Sequence, residues 1–366
     1  MPRTRLFARL PRALLAVLLV LVPAWPAAAQ EAASLALLPF ENVSGSLEAV
    51  RMIMPLLEQA VRDRGYRLAD PGRLDAFLAR NRIRNTGRLS RTHLTALQRE
   101  LGVGLAMVGS VAIFNDSAGN PQWGLSARVL AADSGAILWA AGAGLTGDDF
   151  TIALGLGTIT SGPRLAEETV KALLRDLARA REPLAMPPRG RPVLSRLFGI
   201  KASYRSPTLE SDPPRRVAVL PFENLSERKG AGRVVEDIFT VALARQGRFE
   251  IVEPGTLSEA LVAIGVAPYG NIDLETLAAL RQRVEVDAVI LGTVLNYSEG
   301  LKRAGAATSP EVTLDARMLD VETGRIVWFA ERVLNGDDSR IAMHFGTIKA
   351  MVPLVLKAAS EVLDTL

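Results

Sequence analysis

The sequence predicts an α/β protein made of two tandem copies of an α/β sandwich, in which helices pack on a mixed sheet that ends in an antiparallel three-stranded meander. Three observations support this prediction. The sequence ALLPFENVS at 36–44 returns as AVLPFENLS at 218–226. The segment 127–139 returns at 316–328 with the same Ala-Arg, Ser/Thr-Gly and Trp pattern. The helical and extended patterns between these motifs follow the same order in both copies, so one duplicated domain accounts for most of the chain.

Residues 1–29 are interpreted as a signal peptide rather than as part of the fold. The segment has a basic start, an apolar run at 13–22 and three alanines at 27–29. The apolar run is shorter than the roughly 20 residues that a membrane-spanning helix needs. We therefore expect a mature chain that begins at Gln30, is exported and is soluble.

Charge and cysteine content restrict the classes of function. The formal net charge of the chain is +4, and the leader contains four arginines and no acid. The mature chain is therefore formally neutral, which argues against nucleic acid as a partner. The sequence has no cysteine, which excludes disulfides and thiolate metal sites, and we expect neither a lipid anchor nor a membrane span.

The domain boundaries follow from the repeat. The two copies are assigned to residues 30–182 and 217–366, and each is long enough to bury a core of its own. Residues 183–216 between them are rich in proline and arginine. We expect this linker to be extended and the two copies to be separable domains.

The first half of each copy predicts a buried strand followed by helices. Continuous apolar runs at 35–38 and 217–220 are typical of a central strand covered on both faces. An amphipathic helix follows, and then a short strand at 66–68 or 249–252 that leads into a Pro-Gly pair, which predicts a turn. Two further helical patterns place the following residues in the core: Leu74, Phe77, Leu78, Leu94, Leu97 and Leu101 in copy one, and Leu257, Leu261, Val262, Leu277, Leu280 and Val284 in copy two.

The second half of each copy predicts the meander. Gly135 and Gly324 fall where a tight hairpin needs positive φ. A final helix is expected at 165–177 and at 353–363. The meander strands are expected at 106–111, 125–130 and 137–141 in copy one, and at 288–294, 313–319 and 326–330 in copy two.

No set of residues in the sequence forms a recognisable active site, and we predict no catalytic residue, no metal site and no cofactor. The two histidines, His93 and His344, do not occupy matching positions in the two copies. This favours packing or surface roles over general-base catalysis, which requires a positioned partner. The segment 155–157 is too short for a phosphate-binding fingerprint, because Thr160 stands where the third glycine is required.

Two matched polar motifs leave alternatives open. The pairs Asp148-Asp149 and Asp337-Asp338 favour capping of a following helix or a solvated turn, and a divalent-cation site is the alternative. Asn42-Val43-Ser44 and Asn224-Leu225-Ser226 match the glycosylation sequon, but their place in the duplicated strand-exit motif also predicts a turn closed by the asparagine.

The densest basic run is the candidate interaction surface, and it consists of Arg80, Arg82, Arg84, Arg88 and Arg91. No acidic residue lies between Asp75 and Glu100. A solvated face is the default interpretation of such a run. Copy two has the sequence VAPYGN at 266–271 instead, so we also predict that the two copies have different partners.

The ordered motifs resemble the periplasmic domain of CsgG, the curli secretion channel. Copy two carries them best, in FEIVE at 249–253, VILGTV at 289–294 and LDARMLDVETGRIV at 314–327. The same fold is similar to the amino-terminal domain of TolB, to FlgO, and to the outer-membrane lipoproteins that activate penicillin-binding proteins. The resemblance covers nearly all of the chain outside the leader and the linker.

The resemblance implies a non-enzymatic binding or assembly module in the envelope of diderm bacteria. This chain differs from CsgG because it has no cysteine to acylate, and because its meander loops at 115–123 and 298–312 are too short or too polar to form membrane hairpins with strands of about 9 to 11 residues. We therefore expect a periplasmic protein that engages envelope proteins, with contact to the outer membrane only through those partners.

Two alternatives to this function are retained. The first is a ring-forming subunit of a CsgG-type outer-membrane secretion complex, which would form a large homo-oligomer in solution. The second and weaker one is a periplasmic metal-dependent hydrolase that uses the acidic pairs, which would require a metal-dependent activity.

Overall fold

The computed structural model describes residues 33–117, 119–151, 156–179, 182, 184, 200–267, 272–300, 302–303, 306–340 and 346–366. Over these residues the chain folds as two mixed sheets with helices packed against them. This confirms the predicted fold class of two tandem α/β sandwiches.

The first repeat is built on a six-stranded sheet with the order β3-β1-β4-β5-β6, and β2 pairs beside β4. The pairs of β1 with β3 and β4 are parallel, whereas β4, β5 and β6 form the antiparallel meander that the sequence predicts. The strands are β1 (Ser34–Leu37), β2 (Glu41–Asn42), β3 (Arg67–Leu68), β4 (Leu105–Asn115), β5 (Gln122–Ala131) and β6 (Ile137–Thr146).

Four helices cover both faces of this sheet, and each face has its own apolar cluster. α1 and α4 pack on one face, and α2 and α3 pack on part of the other. The helices are α1 (Leu47–Asp63), α2 (Pro71–Arg80), α3 (Arg91–Leu101) and α4 (Gly162–Leu173).

The second repeat has a seven-stranded sheet with the order β10-β8-β11-β14-β15-β7, and β9 pairs beside β11. A separate short hairpin, β12–β13, lies in the loop between β11 and β14. The strands are β7 (Ile200–Arg205), β8 (Arg216–Val219), β9 (Glu223–Asn224), β10 (Glu250–Val252), β11 (Ala288–Ser298), β12 (Lys302–Arg303), β13 (Ala306–Ala307), β14 (Glu311–Asp320) and β15 (Ile326–Asn335).

The helices of the second repeat match those of the first and follow a short additional helix, α5. α7 and α8 pack beside one face of the sheet, and α6 and α9 pack on the other. The helices are α5 (Thr208–Ser211), α6 (Ala231–Gln246), α7 (Pro254–Ala263), α8 (Leu274–Val284) and α9 (Met351–Leu363).

The end of the linker, which the sequence predicts to be extended, forms the strand β7 and the short helix α5. β7 pairs antiparallel with β15 and adds an edge strand that the first sheet lacks. In β7, Ile200, Ala202 and Tyr204 alternate with the polar residues Lys201, Ser203 and Arg205, a pattern that is compatible with an exposed edge strand.

The predicted Pro-Gly turns are helix starts instead. Pro71 and Pro254 take the first helical position, where a missing N–H costs nothing because that group has no partner inside the helix. Asp70 caps α2 by accepting a hydrogen bond from the Arg73 N–H at 2.8 Å. Of the residues predicted to lie in the core, Val262 is exposed on α7.

The two repeats share one apolar layer. α6 is buried on nearly all sides because it lies between the two sheets, whereas α1 is buried on one stripe. Ala112, Ile113 and Ala140 of the first repeat belong to the same core cluster as α6 and α9. The order of layers is therefore α1 and α4, the first sheet, α6 and α9, and the second sheet. The repeats therefore share buried apolar surface in addition to the linker that joins them.

Glycines on one face of the first sheet allow α9 of the second repeat to pack close to it. A Cβ at Gly124 would lie 2.8 Å from Cγ2 of Val352, and a Cβ at Gly144 would lie 2.9 Å from Cδ of Pro353. Real Cβ atoms do not approach this closely, so α9 could not pack here if these residues had side chains. The glycines of β5 and β6 thus set the distance between the repeats.

Candidate functional site: the charged interface and cleft between the repeats

Arg128 forms the centre of a buried ionic network between the repeats. It lies in the middle of β5 with its side chain 1% exposed. Its guanidinium donates to both carboxylate oxygens of Glu253, at 3.1 and 3.0 Å, and to the carbonyl of Gly87 at 3.1 Å. Asp237 of α6 lies 3.6 Å away on the other side. The bidentate geometry fixes β5 to the start of α7.

Two further arginines link the repeats around this centre. Arg233 of α6 donates to Glu41 of β2 at 2.7 Å. Arg88 contacts Glu236 of α6. The network therefore alternates arginines and carboxylates that come from both repeats, which is the arrangement that buried charges require.

Burial governs the protonation of this network. Burial raises the pKa of Glu236 to about 8, against the opposing effect of Arg233. Burial also raises the pKa of Glu253 and of Glu41, although arginines lie beside both. For Arg128, burial alone would lower the pKa, but the carboxylates of Glu253 and Asp237 raise it. Burial therefore favours the neutral form of Glu236, whereas the neighbouring carboxylates favour the charged form of Arg128.

A basic cleft opens beside the network, where the segment before α3 faces α7. Its volume is about 310 Å³. Arg82, Arg84 and Arg88 line one side, and Ser258 and Glu259 line the other. Arg82 and Arg84 are exposed, so their guanidinium groups are available to an acidic ligand at the mouth of the cleft.

The structure separates the five arginines of the candidate interaction surface. Arg80 is exposed and pairs with Glu100 at 2.7 Å, away from the cleft. Arg88 is largely buried by its contact with Glu236 and is not part of an outer surface. The backbone N–H of Arg91 donates to the hydroxyl of Thr256 at 3.0 Å. Arg82, Arg84 and Arg91 have exposed side chains, and Arg82 and Arg84 line the cleft.

Part of the arginine run packs against the second repeat. The segment containing Arg88 and Arg91 contacts the second repeat at Glu236 and Thr256. Two of the five arginines, Arg88 and Arg91, therefore contact the second repeat of the same chain. Residues 268–271 lie outside the described residues.

The acidic pairs act in capping. Asp149 and Asp338 complete capping boxes of two 3₁₀ turns, Gly147–Phe150 and Gly336–Ser339. Asp338 accepts a hydrogen bond from the Asn335 N–H at 2.9 Å. The capped element is therefore the 3₁₀ turn after the meander rather than the final helix. Among the described residues, no group of three or more His, Asp or Glu side chains is placed to hold a metal ion.

The remaining polar motifs have local roles. Nδ1 of His93 lies 3.0 Å from the hydroxyl of Ser90, the residue that caps α3. His344 lies outside the described residues, as does Gly155. The side-chain amides of Asn42 and Asn224 each donate to a carbonyl four residues ahead at 2.9 Å. Both asparagines thus close the turn that the sequence predicts.

The most buried charges of the interface were missed by the sequence analysis. Glu236 and Asp237 interrupt an apolar helix pattern at the positions where copy one has Met54 and Pro55. Arg128 is a lone charge in an apolar strand. A charge inside an apolar pattern is the signal that could have found them, because a buried charge needs a partner.

No helix within the described ranges is both long and apolar enough to cross a membrane.

The comparison with protein families identifies a CsgG-like domain in the chain. Residues 211–352 match the family described as "Curli production assembly/transport component CsgG". This confirms the resemblance that the sequence motifs indicate. No curated protein matches the chain.

Solved structures of similar proteins each match less than half of this chain. The PelC dodecamer of Paraburkholderia phytofirmans is 20% identical over 45% of this chain and 94% of its own, with a TM-score of 0.32. Lipoprotein GNA1162 of Neisseria meningitidis is 16% identical over 42% of this chain and 100% of its own, with a TM-score of 0.30. The LpoB C-terminal domain of Salmonella enterica is 18% identical over 35% of this chain and 89% of its own, with a TM-score of 0.28.

Proposed function

We propose that the protein is a non-enzymatic binding and assembly component of the bacterial cell envelope, which engages envelope proteins in the assembly or export of a surface structure. The observation that carries this proposal is the CsgG-like domain at residues 211–352. The use of the acidic pairs in capping boxes favours a binding role over the metal-dependent hydrolase. We also propose that residues 1–29 are removed, that the mature protein works in the periplasm, and that residues 183–216 divide the two repeats.

The partner is proposed to bind at the basic cleft through Arg82 and Arg84. Both arginines are exposed at its mouth. Exposed guanidinium groups bind carboxylates in bidentate geometry, so the complementary surface is acidic. In this interpretation Arg80 and Arg88 form ion pairs within the protein, with Glu100 and Glu236.

Capture of partners from the periplasm tests the proposal. The tagged chain is cross-linked in cells, recovered from a periplasmic extract, and its partners are identified by mass spectrometry. Replacing Arg82 and Arg84 with glutamate should abolish the capture of specific envelope proteins. The matched control is Arg99→Glu on α3, another exposed arginine. Equal capture by both variants would exclude the cleft, and the absence of any envelope partner would overturn the proposed function.

The alternative function is a ring-forming subunit of an outer-membrane secretion complex, in which several copies of this fold assemble with one another. It is favoured by one feature, the half-buried face that β14 and β15 present on the side opposite α6 and α9. Detergent-dependent release from outer membranes in the absence of partner proteins would support it. Release of a form beginning near Gln30 into the periplasmic extract would support the leading proposal.

A further inference from the structure

Arg82 holds a backbone conformation that disfavours a side chain. It follows Asn81, the residue that ends α2, and its φ is 53°. Glycine adopts this left-handed region freely, whereas an arginine there brings its Cβ too close to the following carbonyl oxygen. The Arg82 N–H donates to the carbonyl of Ala79 at 3.2 Å, so the conformation belongs to the turn that closes the helix.

The second repeat has glycine at the matching position. Gly265 follows α7 with a φ of 73°, and its N–H donates to the carbonyl of Val262 at 3.1 Å. The two turns are therefore equivalent, and glycine is the residue that folding favours there. Arg82 stands in this position in the first repeat and lowers stability relative to glycine, which points to a role for its side chain.

No described residue uses that side chain. The guanidinium of Arg82 forms no ion pair or hydrogen bond within the described part of the chain, and neither does that of Arg84. Glu285 provides a contrast, because it also has a positive φ, of 54°, but its carboxylate pairs with Arg216 at 3.2 Å. The strained arginine is therefore available to a ligand from outside the chain.

The residues around the two arginines define what the cleft can bind. Val262 on the α7 wall is 80% exposed, and Ile83 lies between the arginines along the chain. Glu259 is the only acid among the described residues that line the cleft, and it forms no ion pair with either arginine. A complementary ligand therefore carries carboxylates for the guanidinium groups and an apolar side chain between them.

The size of the cleft restricts the form of that ligand. Its volume of about 310 Å³ lies at the lower end of the roughly 300 to 1,000 Å³ that ligand sites occupy. This space accepts a few side chains of an extended peptide, whereas a folded acidic surface would meet only the exposed ends of the arginines. The partner therefore contributes an extended segment rather than a folded face.

We propose that the cleft binds an extended acidic segment of a partner protein, in which two carboxylates flank an apolar side chain. The carboxylates pair with Arg82 and Arg84, and the apolar side chain packs against Ile83 and Val262. Because the arginines belong to the first repeat and Val262 to the second, the bound segment bridges the repeats. The inference rests on the function proposed above, since it uses the same cleft, and it adds the chemical class of the segment that binds.

Selection from a library of unstructured peptides tests the class of ligand. The full mature chain is immobilised, and a phage-displayed library of short random peptides is panned against it. The selected peptides should be enriched in acidic residues that flank an apolar residue, and panning against Arg82→Gly should recover none of them. Enrichment of sequences without acidic residues would overturn the proposal, and so would the absence of any enrichment.

Removal of the strained side chain separates binding from folding. A synthetic copy of a selected peptide is labelled with fluorescein, and its binding is measured by fluorescence anisotropy. Arg82→Gly should weaken binding by about tenfold or more, because a charged hydrogen-bond donor is lost. The midpoint temperature of thermal unfolding should stay the same or rise, because glycine relieves the backbone strain.

Glu285→Gly is the matched control for this substitution. It relieves the same backbone conformation at the end of α8 and should leave peptide binding unchanged. A lower midpoint temperature for Arg82→Gly would show that the arginine serves folding, and would contradict the proposal. Equal loss of binding in both variants would contradict it as well.

The apolar wall has a readout of its own. Val262→Thr keeps the shape of the side chain and replaces a methyl group with a hydroxyl, so it should weaken peptide binding by about threefold or more. Ile326→Thr changes another exposed apolar residue, away from the cleft, and should bind as the natural chain does. Equal affinity of Val262→Thr and the natural chain would contradict the apolar contact.

The peptide selection and the capture of partners from the periplasm fail in distinguishable ways. If envelope proteins are captured through Arg82 and Arg84 but no peptide binds, the proposed function stands and the extended-segment mode is wrong. If an acidic peptide binds at the cleft but no envelope protein is captured, the peptide mode stands and the proposed function is wrong.

Discussion

At the scale of single residues, Arg128 shows how one charge joins the two repeats. Its strand is otherwise apolar, and its guanidinium is held by Glu253, Asp237 and the carbonyl of Gly87. Such a network does not need to add net stability over an apolar core, because desolvation of the charges opposes their attraction. Its physical effect is to disfavour docking arrangements that leave Arg128 or Glu253 buried without the other.

We predict that Arg128→Met strongly destabilises the protein, since it leaves Glu253 and Asp237 buried without their cation. The expected loss is about 3 to 5 kcal/mol in the free energy of unfolding. Arg317→Met changes the equivalent residue of the second repeat, which is half-buried, and should cost about 0.5 kcal/mol or less in the monomer. Urea denaturation of both variants at low protein concentration measures the difference. Equal losses would show that the network does not anchor the interface.

The raised pKa of Glu236 predicts that the stability of the folded protein falls as pH rises. Its pKa is raised from 4.5 to about 8 in the folded protein by burial. Between these values the unfolded chain has released the proton while the folded chain retains it, so stability falls as pH rises, by at most about 1.4 kcal/mol per pH unit. The groups that face it are Arg88, Arg233 and Asp237.

The test compares the natural chain with Glu236→Gln, which mimics the neutral acid. We expect the natural chain to lose stability relative to this variant from about pH 5 to about pH 8. The exposed Glu48→Gln on α1 serves as the control and should follow the natural chain. A natural chain that gains stability relative to Glu236→Gln as pH rises would mean that Glu236 is stabilised as a carboxylate.

At the scale of secondary-structure elements, equivalent helices have different surroundings in the two repeats. α1 buries a single stripe, Ala49, Ile53, Leu57 and Val61. α6 buries nearly every residue, including Glu236 and Asp237. The sequence of α6 is more apolar around its circumference because it packs against two sheets instead of one.

The starts of α2 and α7 provide a matched pair of substitutions. Gly255→Ala should destabilise the protein by about 1 to 3 kcal/mol, because the added Cβ collides with the backbone of Leu89. Gly72→Ala at the equivalent site meets no such obstacle and should leave stability unchanged or raise it by up to about 1 kcal/mol. Thermal unfolding of dilute samples compares the two variants. A similar effect of both substitutions would contradict the close contact at Gly255.

At the scale of the whole molecule, the shared apolar layer determines how the repeats behave. α6 and α9 contribute to the core of the second repeat and also cover the first sheet. Separation of the repeats would expose this apolar layer and the ionic network to water. The linker is therefore not the only connection between the repeats.

We predict that cleavage of the linker leaves the repeats associated. A specific protease site placed within residues 185–199 should be cut, and the two fragments should still elute together from a size-exclusion column at neutral pH. Arg128→Met in the cleaved protein should promote their separation, whereas Arg317→Met should not. Two folded fragments that elute separately without any substitution would support fully independent domains.

The sequence by itself determined the duplication, the α/β class, the meander and the CsgG-like motifs, because these depend on local periodicity and on the order of motifs along the chain. The sequence also predicted the turns closed by Asn42 and Asn224 and the capping role of the acidic pairs, because the hydrogen-bond partners of these side chains lie within a few residues along the chain. Only the tertiary structure decided that Arg88 faces inward, that the linker adds β7 to the second sheet, and that Arg128 pairs with Glu253. These features depend on contacts between residues that are far apart in sequence, and the repeat pattern does not specify how two similar domains pack on each other.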